Sequence, residues 1–269
     1  MFGRIDWSRP WYGAVRAAAA LAGRHGSDVI PAFNAHAAGM QLVNHRGLPL
    51  HFVPQAMLPE GTAYEEFIGA TGGVPTRDNL HDFFNGLVWL TFPLIKRELN
   101  ALQAAQIARD GIGKSRGPAR DAATIFDENA ALLVVCEGAE GAALVDALRN
   151  HQWRTAFVEM APMFGTVADV CLFGHALMEK LVAPYKAITA HTRIVTAPPA
   201  YFALSVAERH AWIDTQIAYQ LQQEGLSNAG FTPLPVLGIP GWWQGQDDAF
   251  YDDTSVFRPK RNAPTRETA

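Results

Sequence analysis

Four short segments of this chain carry polar side chains at spacings that could support chemistry. Asp78, His81, Asp82 and Asn85 fall at i, i+3, i+4 and i+7, so on a helix they share one stripe, with Lys96 farther along it. An imidazole beside a carboxylate and an amide can hold a metal or orient a water; the plainer reading is a solvated helix face. The segment 120–129 has Arg120 and Asp121 at one end and Asp127 and Glu128 at the other. Carboxylates closing an apolar segment suit hard metal ions and general bases, although Asp and Asn also serve turns. Arg120 could anchor an anionic group. His175 and Glu179 are four residues apart, which lets two ligands converge on a divalent ion from one helical face. Surface ion pairs use the same spacing, and the second His of a zinc-protease helix is missing. Lastly, Trp242 and Trp243 precede Asp247, Asp248, Asp252 and Asp253; the indoles could stack on a ligand ring or cover an edge of the core.

His81, Asp82, Asp127, Glu128, His175 and Glu179 supply enough imidazoles and carboxylates for a one- or two-metal hydrolytic site. The expectation is a metal-dependent hydrolase, phosphoesterase-like, acting on a small molecule with Zn, Mn or Mg. His81, Asp82, His175 and Glu179 would be the ligands, and Asp127 or Glu128 a ligand or general base. Arg120 and Lys96 would complete the catalytic set. Arg77, Asn85, Trp242 and Trp243 would meet the substrate, with Arg77, Arg120 or Lys96 steadying its anionic group. The alternative is a non-catalytic small-molecule-binding or interaction protein in which the same groups form buried hydrogen-bond networks. Nucleic-acid binding through Lys114, Arg116 and Arg120 ranks last, because the net charge of -4 gives no general attraction to phosphate backbones. There is no GxxxxGKS/T loop and no GxGxxG after a strand.

The elements that must position these groups follow from composition and pattern. With 269 residues, 49% hydrophobic and 18% charged, the chain has ample material for a core. Cys136 and Cys171 lie apart in apolar runs, which predicts buried free thiols in a reducing, cytoplasmic setting and no Cys nucleophile. The alanine-rich run 17–22 is too short for a signal core, and no run of about twenty apolar residues predicts a membrane span.

Helices are expected over 11–38, broken near 23–27, and over 60–70, with an extended segment over 45–59. A long helix capped by Thr76 or Asp78 should run over 79–109, kinked near Thr91 by Pro93. Residues 111–117 read as a loop. Segments 122–126 and 131–136 read as two strands of a hairpin turning at Asp127-Glu128-Asn129. Helices are then expected over 141–150, 153–160 and 175–182, and strands over 167–173 and 188–196. Ser205 should cap a helix ended by Gly225. The Pro- and Trp-rich run 233–243 is too apolar for a tail and should strap across the body. The whole reads as one α+β domain over 1–257, helix-rich with a small mixed or antiparallel sheet, and a polar tail over 258–269.

At these segments the chain resembles a bacterial family known as domain of unknown function 3025. The resemblance rests on Val74-Pro75-Thr76-Arg77-Asp78-Asn79-Leu80-His81-Asp82-Phe83-Phe84-Asn85 with Trp89, Phe92-Pro93 and Lys96. It extends through Arg120-Asp121, Phe126-Asp127-Glu128-Asn129, Phe173-Gly174-His175-Ala176-Leu177 with Glu179-Lys180, Pro233 to Trp243, and Phe257-Arg258-Pro259. Ala130 departs from it where glycine is expected. The resemblance covers roughly 52–259 and implies a single unit; it supplies no mechanism.

Overall fold

The computed structural model describes residues 2–23, 28–110 and 118–260. Helices α1 (Arg16–Ala22) and α2 (Val29–Gly39) lead to β1 (His51–Pro54), α3 (Tyr64–Thr71) and β2 (Gly73–Thr76). Next come α4 (Leu80–Thr91), α5 (Pro93–Asp110), α6 (Pro118–Asn129), β3 (Ala130–Cys136), α7 (Ala139–Arg149), β4 (Ala168–Leu172) and α8 (His175–Lys180). The chain continues through β5 (Thr189–Ala197), α9 (Val206–Glu224), β6 (Thr232–Pro235) and α10 (Asp248–Tyr251). A four-stranded sheet has the order β4-β3-β5-β6, with β3 and β5 parallel and both outer pairs antiparallel. β1 and β2 form a separate parallel pair. This is the helix-rich α+β architecture that the patterning predicts. No helix of the described residues is long and apolar enough to cross a membrane.

β3 is the spine of the larger sheet. Residues 130–135 are all buried, so the strand is a continuous apolar run rather than an alternating one. Helix α4 is equally enclosed: every residue from 82 to 90 is buried. Phe83 and Phe84 meet the rings of Trp7, Tyr12 and Phe33, and burying one such side chain is worth about 1.5–3 kcal/mol. A polar stripe on a helix this deeply set cannot be a solvated face. The break at Phe92 and the restart at Pro93 match the expected kink. The new N-terminus is capped from a distance by Asp214 of α9, which accepts from Leu94 N (3.0 Å) and Ile95 N (2.8 Å).

Several expectations are corrected. Residues 122–126 are helical, not a strand, and there is no hairpin at Asp127-Glu128-Asn129: α6 runs straight into β3, whose antiparallel partner is β4. Ala122, Ala123, Phe126 and Asp127 are buried at helical spacing, and alanine favours helix over strand. Ala130 accordingly opens a buried strand, where a turn glycine has no purpose. The cap of α4 is Asn79, whose side chain accepts from Asp82 N at 2.7 Å, rather than Thr76 or Asp78. β2 had no alternating signal and was not expected. Cys171 is buried and its thiol is pushed up by burial and by Asp169; Cys136 is only partly covered.

The 233–243 run does strap across the body: β6 is an edge strand, and Val236, Leu237, Gly238 and Ile239 are buried behind it. The aspartates that follow are spent structurally. Asp248 and Asp252 pair with Arg154, Asp253 pairs with Lys186, and Asp247 caps α10. The tail expected from Arg258 is tied at its start, since the Arg258 carbonyl accepts from Trp153 Nε1 at 2.7 Å; residues 261–269 lie outside the described residues.

Candidate metal centre

Three helices bring His81, Glu128 and His175 together. His81 is in the first turn of α4, Glu128 is next to last in α6, and His175 is the first residue of α8. Their donor atoms all lie within 4.8 Å of one another. Gly174 makes this approach possible. Its N donates to the Ala130 carbonyl (2.8 Å), and a Cβ there would lie 2.5 Å from Ala130 N and 2.6 Å from Asn129 N. Only glycine lets α8 start against the α6–β3 joint, and that contact sets His175 beside Glu128.

The imidazoles face each other edge on, with Nε2 atoms 3.1 Å apart. His175 Nε2 is 3.7 Å from Glu128 Oε2. On the far side of the His81 ring, Nδ1 is 3.1 Å from Glu179 Oε2. A carboxylate there fixes the proton on Nδ1 and leaves the Nε2 lone pair free. His175 Nδ1 is buried without a hydrogen-bond partner among the described residues; the Asp127 carboxylate, 3.9 Å away, favours the proton on that nitrogen too. With both protons on Nδ1, the two Nε2 lone pairs face one space across 3.1 Å, where they could hold a cation. Tetrahedral zinc with Zn–N of about 2.0–2.1 Å separates its ligand atoms by roughly 3.3 Å.

The surrounding charges are firmly placed. Lys96 is buried; its Nζ donates to Asp127 Oδ1 (2.6 Å) and Asn85 Oδ1 (2.9 Å) and lies 5.2 Å from the Trp89 ring. Burial works against the Asp127 carboxylate, but Lys96 and then His175 overcome it and hold its carboxyl below the ordinary range. Burial pushes His175 down to about 4, against the pull of Asp127 and with help from Lys96. Glu128 is raised by burial, with His81 opposing. Asn85 Nδ2 donates to Tyr64 Oη at 2.9 Å, and burial lifts that phenol well above its usual range, with Glu65 adding to it.

The centre opens on a cavity of about 430 Å³, lined by residues that include Tyr64, Glu65, Arg77, Gln103, Arg120 and Thr124. The expected site is therefore assembled in part and revised in part. His81, His175, Asp127, Glu128, Asn85, Arg77 and Arg120 line one space, with Lys96 beneath it. Asp82 is not in the ligand group: Oδ2 accepts from Arg77 N (2.6 Å) and Nε (2.9 Å), and Oδ1 accepts from Arg77 Nη2 (3.0 Å). Both its oxygens are committed to closing the turn before α4. Glu179 supports His81 instead of joining the group, and Glu128 takes its place.

Trp242 and Trp243 do not line this cavity; Trp242 borders another one with Trp11 and Arg209. Asp78 is exposed ahead of α4. Lys114 and Arg116 lie outside the described residues. Tyr64, Glu65, Gln103 and Thr124 were missed. One signal was available: with 118–129 read as a helix, Arg120, Thr124, Asp127 and Glu128 fall at i, i+4, i+7 and i+8 on one face.

A model of the family described as Protein of unknown function (DUF3025) matches residues 50–261, a span that holds every residue of the centre and its cavity. Neither the curated proteins nor the solved structures give a significant match.

Proposed function

The chain belongs to the family Protein of unknown function (DUF3025), and we propose that it is a metal-dependent hydrolase acting on a small anionic ester, a phosphoester in the first instance. The observation that carries this reading is the convergence of two Nε2 lone pairs and the Glu128 carboxylate on one point at a cavity wall. Two His and one Glu are the donors of a catalytic zinc site with a position left for water. Imidazole donors suit zinc better than magnesium or manganese, and the Glu128 carboxylate leaves manganese as the second choice. Bound there, the ion would lower the pKa of a water and polarise the ester.

The chain's own groups have distinct parts in this account. Glu179 holds the His81 ring, and Lys96 with Asp127 holds the side on which His175 sits. Arg77 is engaged with Asp82. Arg120, whose guanidinium has no hydrogen bond or ion pair among the described residues, is the cation left to meet a substrate anion.

The same 3.1 Å spacing would also result from one proton shared between the rings in a protein that binds without catalysing. Activity separates the two. Protein treated with a chelator should not hydrolyse p-nitrophenyl phosphate, and one equivalent of zinc or manganese should restore turnover. A rate indifferent to chelator, or none with either metal, overturns the hydrolase.

A further inference from the structure

One cavity carboxylate, Glu65, has no role yet in holding the ion or the substrate. Glu65 stands in the first turn of α3 beside Glu66; Glu66 points to solvent, whereas Glu65 turns inward and lines the same cavity as His81, Glu128 and His175. Among the described residues it makes no ion pair. Its Oε2 accepts from Asn100 Nδ2 at 2.7 Å, and the same amide donates to the Glu65 carbonyl at 2.8 Å. Asn100 is buried, and its Oδ1 lies 2.7 Å from His45 Nδ1. Because the Asn100 amide nitrogen is committed to Glu65, His45 must be the donor in that last contact, which fixes the amide against flipping.

A salt bridge would explain an inward carboxylate, and a helix-dipole role would be met as well by the exposed Glu66. Neither accounts for Glu65. Burial holds its carboxyl above the ordinary range, with Lys96 opposing and Asp127 adding. A half-buried carboxyl that faces the cavity, makes no ion pair and is held in one orientation by Asn100 is in the condition of a group that delivers a proton.

We propose that Glu65 is the general acid of this site, giving its proton to the leaving-group oxygen of an ester held at His81, Glu128 and His175. The inference rests on the hydrolase reading. As water attacks phosphorus, the bond to the leaving-group oxygen breaks and its electron pair stays on that oxygen, which takes the Glu65 proton. The proton released by the attacking water reprotonates Glu65, so one water is consumed per turnover. Asn100 and His45 are positioning residues in this account.

The test compares the zinc-loaded full chain with its E65Q variant on phenyl phosphate and p-nitrophenyl phosphate. Nitrophenolate leaves without a proton; phenolate needs one. Gln keeps the bond from Asn100, so zinc content and Tm should match the wild type. The kcat should fall at least about 100-fold on phenyl phosphate and less than about tenfold on p-nitrophenyl phosphate. Formate added to E65A should restore part of the phenyl phosphate rate, an effect that a structural role would not produce. Equal losses on both esters, or no loss, overturn the general acid and leave the hydrolase standing. A zinc-loaded wild type inactive on both esters overturns the two together.

Discussion

At the scale of single residues, the centre depends on which nitrogen of each imidazole carries the proton. Glu179 decides this for His81 from 3.1 Å, so Glu179→Gln should weaken zinc binding by about 10–100-fold, read by competition with a chelating dye. Unchanged affinity would reduce Glu179 to a surface ion pair. His175 makes a second prediction, for the metal-free protein. Burial pushes its folded pKa down to about 4, from the ordinary imidazole value of 6.5. Between those values the unfolded chain binds a proton that the folded chain does not, so stability rises with pH across the window. The contribution is complete above about 6.5 and is lost as pH falls toward 4, amounting to about 3 kcal/mol at most. Urea unfolding of wild type and His175→Gln from pH 4 to 7 should show their difference shrinking toward acid; parallel curves would contradict the depressed pKa. The two histidines were legible because each stood near a carboxylate at helical spacing. The parts of Asp82 and Glu179 were not, because spacing says which groups share a face and not which of them already have a partner.

At the scale of elements, the site is a meeting of helix ends, and Gly174 is the closest contact in it. Gly174→Ala should cost about 1–3 kcal/mol through overpacking at the α6–β3 joint, measured by urea unfolding. It should also lower zinc affinity by moving His175; full stability and full affinity together would mean that the joint is not tight. Sequence rules read the ends of these elements well where a local signal exists. Ser205 and Glu208 form a capping box at the start of α9, and Pro93 splits α4 from α5 as expected. They failed at α6, where an alanine-rich amphipathic helix looked like a short apolar strand. That error hid the fact that Arg120, Thr124, Asp127 and Glu128 share one helical face, and with it the place of Thr124 in the cavity. β2 and the inward turn of Glu65 were illegible for another reason: both depend on partners far along the chain, β1 for the one and Asn100 for the other.

At the scale of the whole molecule, the centre draws on α4, α6 and α8, and its supports come from α3 and α5 as well. An ion bound there would tie together the ends of three helices and would bind the folded chain alone, so it should stabilise the folded state by mass action. Zinc at 100 times its Kd should add about 2.7 kcal/mol to wild-type stability and nothing to the His81→Ala, His175→Ala double variant, read as a Tm shift. The architecture was legible as helix-rich α+β from patterning, whereas the convergence of three distant helices was not, since no single segment encodes it. The most direct test of the centre is elemental analysis of untagged protein purified without chelator and dialysed against metal-free buffer. About one equivalent of transition metal per chain in the wild type, lost in a double variant that keeps its fold, is the result expected of a His81–Glu128–His175 site. No metal even after zinc and manganese are added back, or equal retention by the double variant, would contradict it.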